Sequence, residues 1–306
     1  MRFWAGVTDN TWYQFVSSRA FGEVNFWQPS ARAPFTGLPA GTPFLFKLKR
    51  PNHHIAGGGH FVRYTKLPLV TAWEVFGEQN GASSLRDLAA LIGGNRRAAA
   101  VSLDTEIGCT VLTDVFFLPR ERWIPANGLF APSIMVGRTY DAIANADARV
   151  LWSSIVAARR AVSPEIAEDP DERRFGREFL TRARLGQGSF RTLVIDAYQR
   201  KCAITGESTL PALEAAHIQA YAEDGIHHVS NGLLLRSDFH KLFDAGLVTV
   251  DPELRVHISG RIRDRYFNGK AYYRLHGQEL ASIPQDGLDR PNADYLRWHN
   301  ENRFVA

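Results

Sequence analysis

Leu213-Glu214-Ala215-Ala216-His217-Ile218, followed after a polar loop by Asn231-Gly232-Leu233-Leu234-Leu235-Arg236-Ser237-Asp238-Phe239-His240-Lys241-Leu242-Phe243-Asp244-Ala245-Gly246, is the most informative stretch of this 306-residue chain. Leu213–Ile218 reads as a short strand ending near a histidine, and Gly232–Arg236 as a second short apolar strand. Ser237 is a good helix N-cap, which places His240 in the first turn. Asp244 lies four residues further along the same helical face. A strand–loop–strand–helix unit of this kind carries His217, Asn231, His240 and Asp244 toward one point.

Those residue types suit phosphodiester hydrolysis. The reaction needs a base to activate water and a cation to neutralise charge on the scissile phosphate. An imidazole that is neutral near pH 7 fits the first role. A second imidazole with a carboxylate on one helix face fits the second. Asp244 also reads as a turn residue before Gly246, and Lys241 as either a phosphate contact or a solvated helix residue. His227 and His228 read as loop residues.

In order, spacing and local structure this segment resembles the HNH (ββα-metal) endonucleases. The lead-in Arg184-Leu-Gly-Gln-Gly-Ser-Phe-Arg191 and Tyr198-Gln-Arg-Lys-Cys-Ala-Ile-Thr-Gly206 is similar to the restriction-type branch. The resemblance implies that His217 is the general base, Asn231 braces the loop, and His240 binds a divalent metal ion, Mg²⁺ or Mn²⁺. It puts Asp244 where a second metal ligand often sits. Two departures matter. The position before the catalytic histidine, often a ligand, is Ala216, and the four-cysteine zinc site of many members is missing.

Outward from this module, residues 1–162 are rich in aromatics and strand-like runs. Arg2–Val7 reads as a strand, with Thr8 or Asp9 capping a helix that carries Trp12, Phe15 and Val16. Phe44–Lys49 alternates as a half-buried strand, and Ile55–Arg63, interrupted by Gly57-Gly58-Gly59, reads as its partner. Short helices follow near 70–76 and 84–92, strands at 111–118 and 133–136, and an amphipathic helix at Ala146–Ala161. The polar stretch 163–176 reads as a linker. Residues 177–306 form the nuclease domain, with its core at 184–259 and a C-terminal wrap without a sharp period at 260–306.

Phe3-Trp4-Ala5-Gly6-Val7-Thr8, Asn25-Phe26-Trp27-Gln28-Pro29 and the Phe44–Lys49 strand resemble the PUA superfamily, which includes EVE, ASCH, YTH and SRA modules. That resemblance implies a small β-barrel with flanking helices, and an aromatic-walled pocket for an extruded base. Trp27, Asn25 and Gln28 supply a π surface and amides for its walls, with Trp12 and Trp73 as further walls. Core packing is the competing reading for Trp4, Trp12 and Trp73. The triple glycine allows close approach of a backbone or a ligand.

The expected fold is therefore α+β. The expected activity is metal-assisted, modification-dependent cleavage of double-stranded DNA bearing 5-methylcytosine or 5-hydroxymethylcytosine, by a homodimer. The alternatives are an HNH enzyme specific for phosphorothioate or an unmodified sequence, an RNA-directed enzyme, and a silent nucleic-acid-binding protein. A net charge of +4 and a pI near 9.1 are compatible with a polyanionic partner. Two distant cysteines, Cys109 and Cys202, exclude a disulfide framework and fit a reducing cytoplasm. The sequence holds no apolar run long enough to cross a bilayer, and its start lacks a signal-peptide pattern.

Overall fold

Why β3 lies at the centre of the first unit is plain from its sequence, Pro43-Phe44-Leu45-Phe46-Lys47-Leu48, in which nearly every side chain is apolar. In a computed structural model describing residues 1–35, 37–96, 101–126, 129–131, 134–162, 175–183, 185–220 and 227–306, the chain is α+β and divides into two compact units, Met1–Ser189 and Phe190–Ala306. The linker expected over 163–176 falls outside the described residues for 163–174, as do Arg184 and the loop at 221–226.

The first unit contains β1 (Arg2–Thr8), α1 (Asn10–Arg19), β2 (Glu23–Gln28), β3 (Pro43–Leu48) and β4 (His54–Pro68). It continues with α2 (Leu69–Phe76), α3 (Leu85–Arg96), β5 (Glu106–Phe117), β6 (Ile124–Pro125), β7 (Gly137–Asp141), α4 (Ala146–Val162) and α5 (Arg177–Arg182). The strands pair in the order β2-β5-β4-β3-β1-β7, with β6 beside β4. Among the described residues this path runs from β2 at one end to β7 at the other. The β1–β3 pair is parallel, and the intervening α1 and β2 make the crossover such a pair requires.

Both sheet faces are covered, which corrects the half-buried reading of 44–49. Phe44 and Phe46 point into a cluster with Trp4, Trp12, Tyr13, Val16 and Phe26, beneath α1. Leu45 joins Phe3, Ile55, Tyr140, Leu151 and Ile155 on the other face, beneath α4. Period-two alternation is weak in such a strand because neither face is wet. Lys47 is buried with its neighbours, and that burial, with the nearby Arg50 charge, lowers its pKa.

The triple glycine serves strand packing rather than a ligand. A Cβ on Gly57 would stand 2.3 Å from the Phe116 carbonyl oxygen, and one on Gly58 would stand 2.5 Å from that of Phe44. Ladder irregularities at Gly58/His60 and Phe61/Arg63 accompany this crowding. The strand expected at 133–136 comes later, as β7, while Met135 and Val136 lie in a bend. Asp9 caps α1, accepting from the N–H groups of Thr11 and Trp12. The buried carboxylate of Glu23 accepts from the backbone N–H of Gly186, Gly188 and Ser189, fastening 186–189 to β2.

After α6 (Gln187–Ala197), the second unit carries β8 (Leu213–His217), β9 (Gly232–Arg236), α7 (Ser237–Asp244), β10 (Val248–Val250) and β11 (Val256–Ile258). The region expected to be a wrap is helical: α8 (Arg261–Tyr266), α9 (Lys270–Tyr273) and α10 (Ala293–Asn302). Its period was obscured because the first two helices are single turns or little more. His299 of α10 is buried, stacks on Phe243 at 3.7 Å, and hydrogen-bonds Thr249 and the Phe243 carbonyl.

Candidate functional site

β8 and β9 pair antiparallel from Leu213↔Arg236 to His217↔Gly232, and α7 follows β9 without a break. The helix is amphipathic in the simplest way. Phe239 and Phe243 are buried, whereas His240 and Asp244, also four residues apart, share another face. Ser237 does not cap it. Arg236 occupies the N-cap position, and the Ser237 hydroxyl instead donates to the Ala212 carbonyl, fastening α7 to the start of β8.

His240 lies between two carboxylates. Its Nδ1 is 2.6 Å from Glu214 Oε2, and its Nε2 is 3.4 Å from Asp244 Oδ2. Partial burial pushes the Glu214 carboxyl up, but the hydrogen bond from His240, the nearby Ser237 hydroxyl, and the charges of His240 and Lys241 hold it below its ordinary value. An ionised Glu214 can only accept, so Nδ1–H of His240 donates. The arrangement leaves Nε2 facing the Asp244 carboxylate, a nitrogen and an oxygen donor side by side.

His217 is held differently. Its ring stacks on Phe190 at 3.8 Å, and its Nε2 lies 2.9 Å from Nδ1 of His227. Burial, then the charges of His227, His240 and Arg191, bring its pKa down to about 4. The ring is therefore neutral at physiological pH. Asn231 is fully buried, and its amide accepts from the N–H of Gln219 and donates to the Gln219 carbonyl, both at 2.9 Å. That pair of bonds ties the chain leaving β8 to the chain entering β9.

Thus His217, Asn231, His240 and Asp244 do not meet in one hydrogen-bonded cluster. Among the described residues they form two local pairs, His217 with His227 and Asn231 with Gln219, and one triad, His240 with Glu214 and Asp244. Two of the partners, Glu214 and His227, do not stand out as site residues in the sequence. His227 reads there as an ordinary loop residue. The one signal for Glu214 is a charged side chain in a strand whose cross-strand neighbours are leucines.

Among the described residues, no group of three or more His, Cys, Asp or Glu side chains is placed to hold a metal ion. His240 and Asp244 offer one nitrogen and one carboxylate. This donor set fits a hard cation that keeps several waters, not a closed structural site. Ala216 is buried and contributes nothing to it. Cys202 is buried as well, its sulfur accepting from the N–H of Thr205 and Arg236.

The first unit contains a cavity of about 180 Å³, lined among others by Asp9, Trp12, Phe26, Trp27, Gln28 and Lys49. Trp12, Trp27 and Gln28 are thus brought together; Asn25 and Trp73 are not among its walls. Asn25 is buried within β2, donating to Asn80. Trp73 sits part-buried on α2. Trp27 is oriented by its indole N–H, which donates to the Asn80 carbonyl at 2.8 Å. Trp12 is both core and wall, packing edge-on against Phe26 and Phe46. Among the described residues, the buried indole N–H of Trp12 and amide nitrogen of Gln28 have no hydrogen-bond partner. Asp9 and Lys49 form an ion pair at 3.0 Å in the same lining.

Residues 202–251 match a family model described as HNH endonuclease, and this stretch is an HNH endonuclease domain. Among solved structures, two single-substitution forms of ZmASCH from Zymomonas mobilis align with 49% of the chain. They show 14% and 13% identity over 94% and 96% of their own lengths, with TM-scores of 0.35 and 0.34. A structure titled modification dependent TagI restriction endonuclease aligns with 91% of the chain and 74% of its own, at 12% identity and a TM-score of 0.27. No curated protein matches the chain.

Proposed function

We propose that the chain is a modification-dependent restriction endonuclease. Its first unit takes up a modified cytosine, and its HNH domain hydrolyses the DNA backbone. The observation that carries this reading is the cavity beside Trp27, where two buried N–H donors, from Trp12 and Gln28, have no partner. Buried donors without acceptors cost free energy in the free protein, about 1–3 kcal/mol each, unless a ligand or water satisfies them. The hydrogen-bonding edge of an extruded cytosine presents two acceptors, O2 and N3, beside an amino donor. The acceptors suit the Trp12 and Gln28 donors, and the amino group suits the Asp9 carboxylate. Stacking on Trp27 offsets the unstacking of the base. The volume is somewhat larger than the ~150 Å³ cavity that holds a benzene ring.

In the nuclease, His217 is the general base. Its neutral ring accepts a proton from water, and the stack on Phe190 fixes its plane. His240 and Asp244 would hold a divalent cation, Mg²⁺ or Mn²⁺, with Glu214 fixing the His240 tautomer. When bound, that cation supplies charge neutralisation at the scissile phosphate. Asn231 holds the β8 exit so that His217 keeps its place. Cutting both strands with one site per chain calls for a homodimer, and sequential nicking is the alternative.

The test is a cleavage panel with Mg²⁺ or Mn²⁺ on matched duplexes: unmodified, 5-methylcytosine, 5-hydroxymethylcytosine and phosphorothioate, with His217→Ala as control. Cutting confined to a modified-cytosine duplex and lost in the variant supports both halves. Equal cutting of every duplex removes the base-reading half.

A further inference from the structure

Arg261-Ile-Arg263-Asp264-Arg265-Tyr266-Phe267-Asn268-Gly269-Lys270-Ala271-Tyr272-Tyr273-Arg274 carries five cations against one carboxylate. Its net +4 equals the formal net charge of the whole chain, so the remaining residues balance to zero. Arg263 is paired, at 3.4 Å, with Asp264. Arg261, Arg265, Lys270 and Arg274 are exposed and have no ion-pair partner among the described residues. Elsewhere in the same unit arginines are neutralised, Arg236 by Asp238 and Arg255 by Glu279.

The segment is fixed rather than loose. The Tyr273 hydroxyl donates to the Ser259 carbonyl at 2.8 Å and accepts from the Arg263 N–H at 3.0 Å. Tyr272 packs edge-on against Phe239 at 5.3 Å and hydrogen-bonds Asp238, so α9 rests on the first turn of α7, the helix that carries His240. At the end of α8, Phe267 is held in a left-handed conformation, φ 55°, and is 91% exposed, with Tyr266 beside it 61% exposed. Exposed cations thus surround two adjacent exposed aromatics, Tyr266 and Phe267.

We propose that 261–274 is the duplex-DNA docking surface of the nuclease. Arg261, Arg265, Lys270 and Arg274 contact backbone phosphates, and Phe267 makes an apolar contact with the sugar and base stack. This rests on the nuclease reading. Its occupant is chosen by charge complementarity: a polyanion with regularly spaced phosphates matches cations placed along two short helices next to the catalytic one. Apolar side chains set among such cations act on nucleic acid as wedges or stacking surfaces.

The experiment measures duplex binding by the full chain in EDTA, by fluorescence anisotropy across a salt series. R261A/R265A/R274A is predicted to lower the slope of log affinity against log salt by about 2–3, near 0.9 for each phosphate no longer neutralised. R261K/R265K/R274K keeps the slope. F267A weakens binding roughly tenfold with the slope unchanged, since its contribution carries no counterions. Thermal melts of each variant separate these effects from misfolding. An unchanged slope and affinity in the alanine variant overturns the proposal, as does an effect seen with RNA alone. A chain that binds through these residues but cuts no DNA when given Mg²⁺ leaves the surface standing and removes the nuclease reading.

Discussion

The polar side chains at the two candidate sites are treated in opposite ways. In the nuclease, His217, Asn231 and His240 each hold a partner drawn from the same segment, 213–244. In the first unit, the Trp12 and Gln28 donors that line the cavity hold none. Under the proposed function, the difference reflects what each region needs before substrate arrives. A catalytic group is positioned in advance, so its hydrogen bonds are filled by the protein. A pocket that reads a base keeps donors open, and these reject an occupant that cannot satisfy them.

The largest effect expected is at the filled site. His217→Ala is predicted to reduce single-turnover cleavage by about 10²–10⁴-fold while binding of modified duplex is retained. Comparable losses in both would make His217 a structural residue. Next, Glu214→Ala is predicted to weaken divalent-metal affinity about 10–100-fold, read directly by titration calorimetry, with Glu214→Gln closer to the parent because it still accepts from Nδ1–H. Identical affinity in all three proteins would detach Glu214 from the metal.

The open site is addressed through Gly81. It lies at φ +79°, and a Cβ there would stand 2.2 Å from the Trp12 indole. Gly81→Ala therefore pushes on one wall of the cavity and strains the turn. It should cost roughly 1–3 kcal/mol in unfolding and blunt discrimination between modified and unmodified duplex, with nuclease chemistry intact. An unaltered discrimination ratio would argue that Trp12 belongs to the core alone.

A smaller effect is expected from pH. His217 and His299 both have pKa values lowered to about 4, chiefly by burial. Above the ordinary imidazole value of 6.5 both rings are neutral folded or unfolded, and the stabilisation is fully present. As the pH falls from there toward 4, the unfolded chain binds protons that the folded chain refuses, and stability declines. Denaturant melts between pH 7 and 4 should record this, and kcat/KM should persist below pH 6.5 until His217 itself titrates. A stability flat across that window would contradict the burial of both rings.

How much was legible followed the distance in sequence over which each feature is assembled. The ββα unit was readable because one hairpin and one helix place His217, Asn231 and His240 within a 32-residue segment, Leu213–Asp244. The cavity was readable only in part, because its walls come from residues as far apart as Val7 and Val136. Trp27 and Gln28 stood out as an aromatic and an amide before Pro29, in a stretch that reads as a loop and is the end of β2. Asn25, two positions from Trp27, looks equivalent in sequence, yet its amide donates to Asn80, a residue from a turn 55 positions away. Periodicity does not decide Trp73, since an indole on a helix looks the same packed or solvated. The uniform burial of β3 was hidden for a related reason: covering the second face by α4 is a property of topology, not of the strand.

The most direct measurement of the central claim, that an open-donor cavity selects what a filled catalytic site cuts, is the ratio of cleavage rates on modified-cytosine and unmodified duplexes for the parent and Gln28→Ala. A large ratio is expected in the parent. In the variant the rate on the modified duplex is expected to fall about tenfold or more, because one buried donor no longer reads cytosine O2 or N3, acceptors that modified and unmodified cytosine share. A variant that cuts the modified duplex as fast as the parent, or a parent that does not discriminate at all, would contradict this claim.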